Sequence, residues 1–338
     1  MDALSQATDA VAEKHPGMEV RLDEPMKNHT SFKIGGPVRA MFFPGDADCL
    51  ASLCGILGEH GIIPVFMGNG SNILACDKQL DIVIVNTLKL NNVELAGADN
   101  PDSNVYSPDP DTKSSASSAC SASSASNSTA ENHTEIIAGA GALLSRIAVF
   151  ACEHGLTGLE FANGIPGSFG GAVVMNAGAY GREMKNVVLS TTAYNTKTGM
   201  YTVTGARHDF SYRHSRFSNT GDVVLSSVVR LQNGDRKTIK KKMDELTVRR
   251  YKSQPLDIPS AGSTFKRPKE GYTAALIEQA GLKGFTVGGA AVSEKHAGFI
   301  VNHGGASFRD VMEVIEHVRK VVFKEFSIEL ELEVRIIS

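Results

Sequence analysis

The chain reads as an α+β protein, and three observations carry that reading. Strand-like and helix-like patterns follow one another irregularly along its 338 residues, without long repeats or strict β-α-β alternation. Two glycine-rich loops interrupt the pattern, Gly68-Asn69-Gly70-Ser71-Asn72 and Gly164-Ile165-Pro166-Gly167-Ser168. A Ser/Ala-rich stretch also stands apart from everything around it. Hydrophobic residues make up 42% of the chain, enough to build the cores of two or three domains.

In chain order, Asp48 to Glu59 carries Leu50, Leu53, Ile56 and Leu57 on one helical face and stops at Gly61. The apolar run Ile62–Phe66 reads as a strand that leads into the first glycine loop. Asp81–Val85, Val93–Leu95 and Glu135–Ala138 are strand-like as well. Between the last two, residues 99–133 become almost pure Ser and Ala from Ser114 to Ser128. Such a segment cannot bury enough apolar surface to offset its ordering entropy, which predicts a disordered insertion at a hairpin tip. Leu143 to His154 repeats the helical pattern with Ile147, Ala148 and Ala151 and stops at Gly155. Val223–Val229 alternates as a strand. A basic helix, Arg236 to Lys252, marks the crossing into a C-terminal domain. Its charges fit a solvated face, or a diphosphate partner. Phe308 to Phe326 is the longest helical pattern, and Ile328–Ile336 alternates apolar and charged residues, placing Glu333 on the polar face of a last strand.

Composition narrows the function. A net charge of −3 gives no electrostatic case for nucleic acid or an anionic membrane. No apolar run approaches the roughly 18 residues of a membrane helix, and residues 1–15 lack the apolar stretch of a signal peptide. Five cysteines, odd in number and without CxxC spacing, point to reduced thiols in a cytoplasmic protein, with no disulfide framework and no metal site. Nothing calls for an obligate protein partner. Gly139-Ala140-Gly141-Ala142-Leu143-Leu144 approaches a dinucleotide fingerprint, but its third glycine is missing and a glycine-rich loop follows where a parallel strand is required. P-loop, HExxH and GxSxG patterns are absent.

The glycine loops are the strongest local signal. Glycine costs backbone entropy unless a positive φ or a close approach requires it. Pro166 fixes one dihedral, and the small residues beside it bare main-chain N–H groups, which is how backbone holds a pyrophosphate. Each loop alone also fits an ordinary tight turn, whereas the pair suggests one dinucleotide between two lobes. Phe210-Ser211-Tyr212-Arg213-His214-Ser215 sets an arginine among aromatic neighbours, suited to a bidentate grip on carboxylate or phosphate, or to a surface salt bridge. Pro259–Lys266 places the Ser263 hydroxyl after Ala-Gly, beside a ligand or simply in a turn.

Seven segments in order then carry a specific resemblance: Asn28–Pro37, Gly68–Asn72, Gly164–Gly170, Asn176-Ala177-Gly178-Ala179-Tyr180-Gly181, Tyr212-Arg213, Ala261–Lys266 and Glu333-Val334-Arg335. Over nearly its whole length the chain resembles the UDP-N-acetylenolpyruvoylglucosamine reductase (UDP-N-acetylmuramate dehydrogenase) family. Only 263 − 213 = 50 residues separate Arg213 from Ser263, too few for the tyrosine-bearing, substrate-covering loop of the long-form subclass. The chain therefore resembles the short form.

The resemblance implies a two-lobed FAD-binding unit of the vanillyl-alcohol-oxidase (PCMH) type, lobes 1–90 and 134–235. A C-terminal α/β substrate-binding domain, 236–338, would follow. It implies non-covalent FAD with its pyrophosphate on Gly68–Asn72 and Gly164–Ser168 and a further contact at Gly178, NADPH as hydride donor, and a UDP-sugar substrate in peptidoglycan precursor synthesis. Arg213 and Glu333 would polarise the enolpyruvyl carboxylate. Glu333 would be protonated, its pKa raised by burial and by its anionic neighbour. Ser263 would protonate C2. Tyr212, Lys252, Gln254, Lys266, Arg267 and His296 are candidate substrate contacts, though His296 equally fits a satisfied core histidine. The competing readings are an FAD oxidase of the same fold acting on another sugar or alcohol, and a catalytically idle flavin-binding sensor.

Overall fold

A computed structural model describes residues 2–97 and 132–338. Residues 99–131 of the predicted Ser/Ala insertion lie outside them. His133, assigned to that insertion from sequence, instead opens the strand His133–Gly139.

Seven α-helices lie among the described residues: α1 (Ala3–Lys14), α2 (Ala47–Glu59), α3 (Leu144–Glu153), α4 (Phe169–Val174), α5 (Arg236–Ser253), α6 (Thr273–Gln279) and α7 (Phe308–Phe326). The chain divides into two compact units. The first comprises Met1–Lys89, Pro166–Ser168 and Asp244–Ser338; the second comprises Leu90–Ile165 and Phe169–Met243. From Asp244 onward, the C-terminal domain read from sequence thus shares a unit with the first predicted lobe.

In the first unit, the Asp46 side chain accepts from the Cys49 amide and caps α2, which buries Leu50, Leu53, Ile56 and Leu57 as predicted. Gly61 follows with φ +70. This helix links Pro37–Phe43 to Val65–Met67, two strands that both run parallel to Leu80–Asn86, while Glu19–Pro25 adds an antiparallel edge. The strand predicted over Ile62–Phe66 begins only at Val65. Pro64 has no N–H to give a ladder, and Ile63 points into solvent.

A second sheet of this unit orders Ser260–Ser263, Phe299–Asn302, Ala290–Val292 and Thr286–Val287, all antiparallel. The amphipathic stripe of α7 (Val311, Val314, Ile315, Val318, Val322) is buried in the same core as Ala290, Val292 and Ile300. The last predicted strand is much shorter than its pattern. Only Arg335–Ile337 forms one, parallel to Ile73–Ala75. Before it, Ile328–Val334 makes a single bridge, Leu332 to Phe265. Glu333 therefore precedes the final strand and does not lie in it.

The second unit is an antiparallel sheet ordered Gly199–Thr204, Val188–Asn195, Val223–Asn233, His133–Gly139 and Val93–Leu95, with Leu156–Thr157 on the end of Val223–Asn233. Val93–Leu95 and His133–Gly139 are direct neighbours, and the Ala96 amide donates to the Glu135 carbonyl at 2.9 Å. The insertion is hosted by a hairpin, as predicted. Antiparallel pairing on both sides of His133–Gly139 also removes the dinucleotide-fold reading of Gly139–Leu144. Gly139 answers to packing, since a Cβ there would overlap the Leu90 carbonyl oxygen. Helix α3 buries Leu144, Ile147, Ala148 and Ala151, and Gly155 (φ +66) follows it.

Candidate active site

In the first unit, loop Gly68–Asn72 leaves the carboxyl end of the parallel pair Val65–Met67 and Leu80–Asn86, where open α/β sheets place their ligands. Gly70 has φ +61, and a Cβ on it would overlap the His29 carbonyl oxygen. The Ser31 amide donates to the Gly70 carbonyl at 3.2 Å, so the Asn28–Pro37 motif braces this loop from behind. A Cβ on Gly68 would overlap the hydroxyl of buried Ser168, and Asn69 Nδ2 donates to the Pro166 carbonyl at 2.7 Å. The two glycine-rich segments expected to share one pyrophosphate therefore meet residue against residue. Thr87 donates to the Met67 carbonyl at 3.4 Å. Beside it, Asn86 Nδ2 is buried without a hydrogen-bond partner among the described residues. Backbone that only glycine can follow, flanked by hydroxyls and an unused amide donor, fits the phosphates of a dinucleotide such as FAD.

In the second unit, the first amides of α4 are committed internally. Phe169 N–H donates to the Ala142 carbonyl and Gly170 N–H to the Ala140 carbonyl, each at 2.8 Å. Those two amides are therefore not available to an anion at the second loop. Gly178 is required by the hairpin Gly178–Ala179/Arg182–Glu183, where a Cβ would press on the Arg182 carbonyl oxygen at 2.5 Å. Tyr180 (φ 55) and Gly181 (φ 81) form its type I′ turn.

Ser263 closes the strand Ser260–Ser263. Its register against Phe299–Asn302 shifts between Ser260 and Ser263, with Gly262 at φ +75, which makes a glycine-type β-bulge. Bulges re-aim side chains, and here the re-aimed residue is the candidate proton donor. The strand is held at its start by Ser31 Oγ, which donates to the Ser260 carbonyl at 2.6 Å. Next to Ser263, the Thr264 amide donates to the Gly298 carbonyl at 2.9 Å, and Thr264 Oγ1 accepts from the Ile300 amide at 3.2 Å. The Thr264 carbonyl in turn accepts from the Glu333 amide at 2.9 Å. On the other side, Asn72 Nδ2 donates to the Glu333 carbonyl at 3.0 Å, and the Arg335 amide donates to the Asn72 carbonyl at 3.0 Å. The end of the glycine loop, Glu333 and the Ser263 strand form one backbone network. Glu333 is half-buried, whereas Glu329 and Glu331 of the same alternating run are exposed.

The candidate substrate contacts are varied. Lys266 Nζ pairs with Glu331 at 3.2 Å, the Arg267 guanidinium lies 4.0 Å from the centre of the Tyr272 ring, and Lys252 is exposed. Gln254 Oε1 accepts from Arg250 Nη1 at 3.4 Å. Half-buried His296 accepts the Gly298 amide on Nδ1 at 3.2 Å and meets Phe299 edge-on, and burial pulls its pKa down. Arg250, read from sequence as part of a solvated basic face, is buried. Its i to i+4 spacing to Gln254 is the one signal that marks it.

Arg213 and Tyr212 belong to the second unit. They are the central residues of a tight turn closed by reciprocal bonds, Ser211 N to His214 O at 3.1 Å and His214 N to Ser211 O at 3.2 Å. Arg213 adopts φ 54, a conformation that costs an L-residue with a side chain about 1–2 kcal/mol. Its guanidinium lies 5.0 Å from the centre of the Tyr212 ring. Asn176, buried and itself at φ 42, is a residue sequence reading passed over except as a motif letter. Among the described residues no cluster of three metal-ligating side chains occurs, and no helix is long and apolar enough to cross a membrane.

The mixed α/β content and the facing glycine loops accord with a family model described as FAD binding domain, which matches residues 125–205. They define an FAD-dependent oxidoreductase. The model for the C-terminal domain of UDP-N-acetylenolpyruvoylglucosamine reductase matches residues 254–337. The enzyme of that name from Caldanaerobacter subterraneus subsp. tengcongensis is 44% identical over 94% of this chain and 93% of its own length. The Agathobacter rectalis enzyme is 42% identical over 97% of each chain. The chain belongs to the UDP-N-acetylenolpyruvoylglucosamine reductase family. The crystal structure of that reductase from Thermus caldophilus superimposes with a TM-score of 0.72 at 27% identity, covering 95% of this chain and 99% of its own.

Proposed function

We propose that the chain reduces UDP-N-acetylglucosamine enolpyruvate to UDP-N-acetylmuramate in the cytoplasm, with NADPH as hydride donor and non-covalently bound FAD, as a step in peptidoglycan precursor synthesis. Family membership supports the reaction class. The observation that carries the assignment of residues is the network joining Asn72, Glu333 and Thr264, because it links the cofactor loop to two candidate acids.

FAD, held by Gly68–Asn72 and Gly164–Ser168, would supply the hydride-transfer chemistry that links NADPH to C3 of the enolpyruvyl group. Negative charge then grows at C2 and on the adjoining carboxylate. Arg213 grips that carboxylate, a planar guanidinium on a planar anion. Glu333 acts in its neutral form as a hydrogen-bond donor, since an ionised carboxyl there would repel the developing charge. Ser263 delivers the proton to C2. A hydroxyl is a weak acid near neutral pH, so it serves only against a strongly basic carbanion or as the end of a relay. Lys252, Gln254, Lys266, Arg267, His296 and Tyr212 remain the candidates for the UDP-sugar.

The test is an anaerobic visible spectrum of the purified protein. NADPH should bleach the flavin band, and UDP-N-acetylglucosamine enolpyruvate should restore it. Bleaching without recovery would point to a different oxidant, and no flavin band after reconstitution with FAD would overturn the reading.

A further inference from the structure

We infer that Asn176 is a positioning residue for Arg213, setting the turn from which the arginine side chain projects. The inference rests on the role proposed above for Arg213.

The carboxamide of Asn176 is fully buried and its hydrogen bonds reach three residues on two separate pieces of chain. Nδ2 donates to the Ser211 carbonyl and to Glu183 Oε2, each at 2.9 Å, while Oδ1 accepts from the Lys185 amide at 2.9 Å. Ser211 is the first residue of the Arg213 turn. Its carbonyl therefore accepts two bonds, one from His214 that closes the turn and one from Asn176 that fixes the turn in space. The far side of the turn is fastened separately, by Ser215 Oγ donating to the Val174 carbonyl at 2.8 Å. Val174 and Asn176 lie one residue apart, just where α4 ends. One short anchor thus grips the Arg213 turn at both ends.

Two features argue against a merely space-filling asparagine. Arg213 sits in a left-handed backbone conformation, and such a conformation persists only where its surroundings over-determine it. Asn176 supplies one of the bonds that do so from outside the turn. Burial works to raise the Glu183 carboxyl, but the bonds it accepts from Lys185 and from this same Nδ2, with smaller help from the Lys185 and Arg213 charges, keep it below the ordinary range. The carboxamide therefore ties the turn to a carboxylate that interacts with the charge of its arginine. An isosteric carboxylate could not do this, because it would face the Ser211 carbonyl and Glu183 with oxygen against oxygen.

The test is a double-mutant cycle on the full holoenzyme, with the two half-reactions followed separately. Asn176→Asp should slow reoxidation by the enolpyruvyl substrate about ten- to a hundredfold, the scale of a misplaced catalytic group. NADPH-driven bleaching should stay within about twofold of the parent. Asn176→Gly, which keeps the left-handed backbone but deletes the carboxamide, should behave alike and guards against misfolding of the aspartate variant. In an Arg213→Ala background either substitution should add almost nothing, because its effect is already lost. A full additional penalty in that background, or equal loss in both half-reactions, would overturn the positioning role while leaving that of Arg213 intact. Normal reoxidation by Arg213→Ala alone would instead overturn the proposed role of Arg213, and this inference with it.

Discussion

Ser263 and Glu333 show how main-chain geometry selects a residue from a crowd of equals. Three glutamates alternate along Glu329, Glu331 and Glu333, yet only the last is drawn in, its amide held by Thr264 and its carbonyl by Asn72. Ser263 stands apart from Ser260 through the Gly262 bulge. If the bulge aims its hydroxyl at C2, Ser263→Ala should leave NADPH-driven flavin bleaching near the parent rate. Reoxidation by substrate should fall by about 10²–10⁴-fold, the usual worth of a general acid. Stopped-flow traces of each half-reaction decide it, and equal losses in both would refute the assignment. A second residue-scale expectation concerns His208, buried and stacked on Phe210 at 4.8 Å, just ahead of the Arg213 turn. Its Nδ1 bonds the Gly205 carbonyl and its Nε2 the Thr191 hydroxyl, which in turn contacts Ser227. Burial, aided by the Arg216 charge, pulls the His208 pKa below its ordinary 6.5. The unfolded chain therefore takes up the proton first. The stability contributed by neutral His208 is complete above about pH 6.5 and drains away as pH falls from there through the lowered folded value. His208→Asn should flatten that part of the melting-temperature profile, and an unchanged slope would assign it to other groups.

Elements were legible where one physical signal sufficed. The α7 and α2 stripes could be read directly, because a buried helical face leaves its period in the sequence, whereas the α2 cap, Asp46, lies two residues ahead of the Asp48 at which the pattern starts. Ile328–Ile336 misled because alternation reports which side chains are buried and not whether the backbone finds a partner. The run alternates correctly, yet ladder pairing begins only at Arg335. Ile62–Phe66 failed for the opposite reason, apolar content outweighing the missing donor of Pro64. In the candidate site, Ser263, Arg213, Glu333, Asn72, Asn176 and Thr264 all came from motifs, but the motifs did not show that the last three act through carboxamide and backbone bonds, which have no periodicity to read. The hairpin Val93–Leu95/His133–Gly139 supports one prediction of its own. Ala96 and Glu135 are already hydrogen-bonded neighbours, so the chain between them spans almost no distance. Deleting residues 101–130 should leave FAD content and turnover within about twofold of the parent, since loop length enters closure entropy only logarithmically. Loss of bound flavin after desalting would show that the segment contributes to the cofactor site.

At the scale of the whole molecule, the first unit is assembled from three stretches of chain, and the final strand ties the last of them to the first. Arg335–Ile337 lies parallel to Ile73–Ala75, directly after the loop that ends in Asn72. The Cys76 amide donates to the Ile337 carbonyl at 2.7 Å, and the Gly36 amide donates to the Cys76 carbonyl at 2.7 Å. Residues from near positions 36, 76 and 337 are thereby joined in one file of main-chain bonds. Half-buried Ile337 packs into the same apolar cluster as Met26, Val38 and Ile84. Ending the chain after Val334 would retain Glu333 but remove this strand, together with the Arg335 amide that holds the Asn72 carbonyl. A handful of backbone bonds at about 1 kcal/mol each, with two partly buried isoleucines, makes a loss on the order of 3–5 kcal/mol. That is a large share of the roughly 5–15 kcal/mol by which a domain is stable. The truncated protein should melt at least several degrees lower and release FAD on gel filtration, because its glycine loop has lost the strand behind it. Unchanged melting temperature and flavin content would mean that the first unit does not depend on its last strand, and that the tie between the glycine loop and Glu333 survives on the Asn72 side chain alone.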